Sequence, residues 1–131
     1  MIQTDFISDI IIRIKNAAAS GKESVVFPHS KFAAAIAAIL ERTGYLEVLS
    51  KKNKKVHRQI EAKLVYTGGV PKFNDASRIS KPSRRIYFKT KSIMSVRSGF
   101  GHFIISTPKG LLTDKEARKE NVGGEALFQI W

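Results

Sequence analysis

The chain has 131 residues, with 23 Lys and Arg against 11 Asp and Glu, a formal net charge of +12. That length fits one domain or two very small ones and excludes a large two-domain enzyme. Hydrophobic residues at 43% are enough for a real core, so the positive charge sits on a folded body.

No apolar stretch approaches the ~20 residues needed to cross a bilayer, and no apolar leader with a cleavage site opens the chain. These features predict a soluble protein that is not secreted. Cysteine is absent, which removes disulfides, thiolate zinc sites and cysteine nucleophiles together. His29, His57 and His102 are scattered and share no metal-ligand spacing, so neither a metal nor another cofactor is expected. A charge this large on a small soluble body points to a polyanion, with nucleic acid favoured over an anionic membrane surface or no specific partner.

In chain order, residues 4–20 place Phe6, Ile7, Ile10, Ile11, Ile14, Ala17 and Ala18 on one helical face, with Thr4 as N-cap and Gly21 as stop. Residues 24–28 read as a strand closed by Pro28. Ser30 caps a second, almost wholly apolar helix that carries Phe32, Ala35, Ile36, Ile39 and Leu40 and ends at Gly44. Residues 45–49 and 59–66 read as strands joined through a solvated lysine-rich tip at 51–55. The first module, 1–66, is therefore α-β-α-β-β. Gly68-Gly69-Val70-Pro71 interrupts the pattern and marks 67–74 as a linker. The second module, 75–131, reads as short strands at 75–80, 86–89, 102–107 and 126–131. Its one short helix, 114–119, has Thr113 as N-cap and Glu116 placed to complete a capping box. The fold class is α+β, two small modules, the second mostly β.

Residues 1–66 carry a net charge of +5 and residues 67–131 a net charge of +7. Between Lys72 and Lys109, nine basic side chains face Asp75 alone. Three segments there and beyond carry chemistry. The first, Ser80-Lys81-Pro82-Ser83-Arg84-Arg85-Ile86-Tyr87, combines arginine forks that match phosphate oxygens with a tyrosine able to stack on an unpaired base. The plainer reading is a strand edge guarded by charge.

The second segment runs from Gly99 to Gly110. Gly99-Phe100-Gly101 precedes a strand, whereas a nucleotide-binding glycine loop follows one and opens a helix. The strand instead delivers Ser106, Thr107 and Lys109 to a turn ending at Gly110, suited to the shallow minor groove of RNA. An ordinary hydroxyl-rich turn is the alternative. The third, Asn121-Val122-Gly123-Gly124-Glu125, pairs two glycines that permit close backbone approach with a carboxylate that either faces a basic neighbour such as Lys109 or reads a base edge. A helix stop before a strand explains those glycines equally well.

The run Gly101-x-x-Ile104-Ile105-Ser106-Thr107-x-x-Gly110-Leu111-Leu112-x-x-x-x-Ala117 resembles the signature of the family of the eighth protein of the small ribosomal subunit, of bacterial or organellar type. Four further blocks fit the same order: Arg13-Ile14-Lys15-Asn16-Ala17, Pro28-x-Ser30-Lys31, Ser80-Lys81-Pro82-x-x-Arg85-Ile86-Tyr87, and Thr113-Asp114-x-x-Ala117-Arg118 followed by Gly123-Gly124-Glu125. The resemblance implies two closely packed α/β modules, no enzymatic activity, and a ribosome in the bacterial cytoplasm or an organelle. It implies binding to the central domain of small-subunit ribosomal RNA during assembly, contact with neighbouring ribosomal proteins, and in some relatives repression through their own messenger RNA. The implied principal RNA contacts are Ser106, Thr107, Lys109 and Gly110 with Gly123, Gly124 and Glu125. Lys81, Arg84, Arg85 and Tyr87 lie beside them, and Arg13, Asn16, Ser30 and Lys31 contact the RNA backbone from the first module. Pro108 stands where many relatives carry serine, and Ser83-Arg84 replaces a glycine and an apolar residue, which shifts weight from direct reading toward phosphate attraction.

Two other classes fit less well. A nuclease needs converging acids or a histidine base, and His102 falls within an apolar strand pattern that predicts a buried structural role. A duplex DNA reader needs a helix that is basic along one face, and residues 32–40 are apolar.

Overall fold

The computed structural model of the protein describes residues 5–53, 58–81, 83–90 and 101–131. The expected cap Thr4, the tip lysines Lys54 and Lys55, His57, Pro82, Lys91, Arg97 and the Gly99-Phe100 pair lie outside them. The chain divides into two compact units, Met1–Phe73 and Asn74–Trp131.

In the first unit α1 (Asp5–Ala19) buries Ile7, Ile10, Ile11, Ile14 and Ala17, the face its three- and four-residue spacing requires. Gly21, at φ +68°, takes the left-handed conformation that stops it. Next come β1 (Ser24–Pro28), α2 (Lys31–Arg42), β2 (Leu46–Asn53) and β3 (Arg58–Leu64), the strands pairing antiparallel in the order β1-β3-β2. Phe27 pairs with Ile60, Val25 with Ala62 and Leu46 with Leu64, so one sheet face carries a continuous apolar surface. α1 lies against β1 and α2 against β2. Each large apolar side chain fully buried there contributes roughly 1.5–3 kcal/mol over exposure.

β2 runs to Asn53, four residues past the expected end, so backbone expected in a solvated tip is strand. Leu49 occupies a bulge in β2, and Glu41 Oε2 accepts from the neighbouring Val48 N–H at 2.9 Å, covering a donor at the sheet edge. Gly68 and Gly69, at φ +62° and +82°, form the turn of a two-stranded hairpin, β4 (Tyr66–Thr67) with β5 (Val70–Pro71).

The second unit is built around its last strand. It contains β6 (Ala76–Arg78), β7 (Tyr87–Phe88), β8 (His102–Thr107), β9 (Gly110–Thr113), α3 (Asp114–Glu120) and β10 (Gly124–Ile130). β10 pairs with β8 along one edge; along the other it pairs with β6 near its end and with β7 near its start. α3 covers one face: Ile105 and Ala117 are fully buried there, with Phe88, Phe103, Leu112 and Val122 packed around them. Phe88 and Phe103 meet edge to face at 5.2 Å between centroids. The capping box forms as the sequence predicts, Thr113 Oγ1 accepting from Glu116 N at 3.2 Å and Glu116 Oε1 from Thr113 N at 3.0 Å. The helix stops at Asn121, which takes φ +58°, and not at the glycines.

Two local devices hold the strands that flank β10. A Cβ on Gly124 would overlap the Ser106 carbonyl oxygen of β8, and one on Gly123 would overlap the Phe88 carbonyl oxygen of β7. Both glycines are therefore present because neighbouring backbone occupies the space of a side chain. The second device is Ser80, buried at 2% exposure. Its Oγ donates to Ile86 O at 3.1 Å and accepts from Ile86 N at 2.9 Å, while Ser80 N and Ile86 O both bond Ala126 of β10. The chain thus leaves β10 after Ser80 and returns at Ile86, stapled at its base. Arg78 reinforces the staple by donating from Nε and Nη2 to Ser80 O at 3.1 and 2.6 Å.

Replacing Gly124 with Ala is expected to cost about 1–3 kcal/mol, the range for inserting a methyl where nothing yields easily. Ser80→Ala is expected to cost a similar 1–3 kcal/mol by stranding the Ile86 amide. Urea midpoints at unchanged m-value are the measurement in both cases.

Candidate nucleic-acid interface

The register of the second unit brings several of the expected residues into one row. Glu125 pairs with Tyr87 on one side and with Ser106 on the other, and Ser106 pairs with Leu111 of β9. Directly opposed residues on antiparallel strands project to the same face. Tyr87, Glu125 and Ser106 therefore stand side by side across three strands, at the end of the sheet nearest the β8–β9 turn. Tyr87 is 68% exposed, which leaves its ring open to stack on a partner.

Glu125 sits in this row as a fixed acceptor. It pairs with Arg85, whose Nη1 lies 3.1 Å from Oε2 and 3.3 Å from Oε1. Lys109, the neighbour named from sequence, pairs instead with Glu120 at 3.1 Å. Glu125 is 16% exposed while Arg85 is 49% exposed, so the guanidinium keeps an open side facing solvent.

The β8–β9 turn is organised by Thr107. Its Oγ1 donates to Gly110 O at 2.8 Å and accepts from Lys109 N at 3.1 Å. The hydroxyl expected to read RNA is thus engaged within the turn, and its work is to shape it. Pro108 fits because its fixed φ suits the first corner of such a turn, and Gly110 takes φ +104°, which a side chain would strain. Ser106, by contrast, has no hydroxyl partner among the described residues, and neither do the side chains of Lys81, Arg84 and Tyr87.

Lys81 and Arg84 lie on the stapled excursion. Lys81 N bonds Arg84 O at 2.8 Å and Arg84 N bonds Lys81 O at 3.0 Å, which closes a tight turn with Ser83 exposed at its tip. Ser80 is the functional support that sequence reasoning missed. Its signal is a small hydroxyl residue between a strand and a proline-containing basic turn, which reads equally as part of the exposed loop.

The remaining expected residues belong to the first unit. Arg13 is held by Asp9, Nε to Oδ2 at 3.0 Å, and donates from Nη1 to Val26 O at 2.9 Å. With Asn16, Lys22 and Ser24 it lines an open groove of about 250 Å³ between α1 and β1. Ser30 is the N-cap of α2 and accepts from Ala33 N at 3.0 Å; Lys31 follows it, exposed, in the first turn. His102 is half-buried in β8, less enclosed than its strand pattern predicts. Among the described residues no three His, Asp or Glu side chains converge as metal ligands, and no helix is long and apolar enough to cross a membrane.

The family described as Ribosomal protein S8 matches this chain over residues 5–131. Similar proteins include the small ribosomal subunit protein uS8 of Novosphingobium aromaticivorans and that of Erythrobacter litoralis, each 41% identical over 131 residues and covering all of both chains. The protein of the same name from Mycoplasmopsis agalactiae is 45% identical over 131 residues, again covering both chains fully. A family match across nearly the whole chain, together with full-length relatives at this identity, means that the chain belongs to the ribosomal protein S8 family.

Proposed function

We propose that the protein is a structural constituent of the small ribosomal subunit that binds the central domain of small-subunit ribosomal RNA and supports subunit assembly. The observation that carries this reading is the row Tyr87–Glu125–Ser106, flanked by the basic turn at Lys81 and Arg84 and by the Lys109 turn. One exposed aromatic, one fixed acceptor and one hydroxyl with no partner among the described residues, with cations on either side, match what recognition of RNA through its shallow groove and unpaired bases demands. The relatives named as ribosomal proteins are bacterial, which supports a bacterial ribosome as the location. Arg13, Asn16, Ser30 and Lys31 add backbone contacts from the first unit. Other small-subunit proteins are the expected neighbours.

The division of labour is between cations that neutralise phosphates and a turn whose shape selects the site. Each phosphate neutralised releases counterions and contributes roughly 0.7–0.9 to the salt slope. Repression of its own messenger follows only where that messenger carries the same RNA structure, and competition between the two RNAs for one protein tests it.

In filter binding, the purified protein is expected to prefer fragments of small-subunit rRNA over duplex DNA of equal length; preference for DNA overturns the reading. Lys81→Ala is expected to weaken binding to all RNAs alike and to lower the salt slope by about 1. Thr107→Val removes both bonds that shape the recognition turn, and should reduce discrimination between cognate and mutated RNA with the slope unchanged. The opposite pattern in this pair of variants refutes the assignment of roles.

A further inference from the structure

Lys109 and Arg85 flank the recognition row, and each is paired with a carboxylate before any RNA arrives, yet the two pairs differ in kind. Glu125 is largely buried and held in the strand row, so the Arg85 pair is shielded from water on its carboxylate side. The Lys109–Glu120 pair is open to water on both sides, with 54% and 50% of the side chains exposed. Lys109 projects from the β8–β9 turn, and Glu120 is the last residue of α3.

The placement of Glu120 is unfavourable for its own helix. Asp114 and Glu116 stand in the first turn of α3, and Arg118 and Lys119 in the last, each complementing the helix dipole. Glu120 breaks that pattern by setting a carboxylate among the free carbonyls of the helix end. What it gains in exchange is the Lys109 ammonium at 3.1 Å, and a carboxylate at that distance occupies the position a phosphate oxygen would take.

Taking Lys109 as an RNA contact, on which the proposed function rests, we infer that Glu120 is an intramolecular competitor for the RNA phosphate at Lys109. Binding then exchanges one oxyanion for another at this lysine. Lys109 contributes less to affinity than Lys81 or Arg84, whose side chains have no partner among the described residues, and Glu120 sets how much less. An exposed pair of this kind is worth a factor of about twofold to fivefold. Salt screens the pair itself, so the competition fades as ionic strength rises.

The test is a double-mutant cycle read by filter binding: the intact protein, Glu120→Gln, Lys109→Ala and the double variant. Each is titrated with a small-subunit rRNA fragment and with a random-sequence RNA duplex of equal length, at low and at near-physiological salt. Glu120→Gln is expected to tighten binding about twofold to fivefold at low salt, with a smaller gain at higher salt, and to change nothing in the Lys109→Ala background. Equal tightening in both backgrounds overturns the proposal in favour of general repulsion between Glu120 and RNA. Weaker binding by Glu120→Gln overturns it by making Glu120 a prop that holds Lys109 in place, and no change in either background also refutes it. Intact protein that holds neither RNA at any salt overturns the RNA-binding reading itself, and the competition with it.

Discussion

Everything on the candidate surface depends on how closely β10 runs between its neighbours. Gly123 and Gly124 let the carbonyl oxygens of Phe88 and Ser106 occupy the space that side chains would fill, and this close approach puts β7, β10 and β8 in register. From that register the rest follows. Tyr87, Glu125 and Ser106 fall into one row, Arg85 comes within reach of Glu125, and the β8–β9 turn is set at the end of the row. The same register turns Phe88 toward the opposite face, where it packs with Phe103 and the cluster under α3. One backbone constraint therefore aligns the polar row and anchors it to the core in the same step.

A second constraint works alongside it. The basic excursion between Ser80 and Ile86 could not hold its cations near the row if its base were loose, and one buried hydroxyl closes that base by donating one hydrogen bond and accepting another. On the proposed function, the chain thereby fixes backbone where selectivity needs it and leaves long cationic side chains to meet phosphate. Lys81 and Arg84 have no side-chain partner among the described residues, while Thr107, Glu125 and Arg85 are all engaged before a ligand arrives. Groups ordered in advance lose little entropy on binding, at up to ~1.5 kcal/mol for each side chain that need not be immobilised.

Much of this was legible in the sequence because it rests on local rules. The isoleucine spacing of α1, the Ser30 cap and the Thr113–Glu116 capping box are each written within a few residues, and each forms. Sequence pattern and structure part where a partner distant in sequence decides the outcome. β2 extends to Asn53 because β3 offers it a ladder, although lysine and asparagine suggest a loop. Residues 110–113 form β9 against β8, a strand hidden by a glycine that reads as a turn and a threonine that reads as a cap. The glycines at 123 and 124 look like a helix stop or an opening for a partner, and nothing within ten residues reveals that two strands press against them. At Glu125 the sequence leaves two alternatives, a basic neighbour such as Lys109 or a base edge, and a basic neighbour is what it meets. The residue it meets is Arg85, forty positions away in the chain but one strand away in the sheet.

On the proposed function, the electrostatic arrangement divides affinity from selection more finely than the net charge of +12 suggests. A cation with no partner attracts any polyanion, and its effect weakens with salt in proportion to the phosphates it meets. A cation tied to a largely buried carboxylate, as Arg85 is, presents its fork beside a fixed acceptor, an arrangement that on the proposed function discriminates by where hydrogen-bond donors and acceptors stand. A cation tied to an exposed carboxylate, as Lys109 is, sits between the two, and on the proposed function meets phosphate only in exchange. The three states occur within a few strands of one another, around side chains of no net charge such as Ser106 and Tyr87. On the proposed function, total charge therefore raises the affinity of this surface for every RNA, while the pairing of individual charges decides how much of that attraction is spent without regard to sequence or shape.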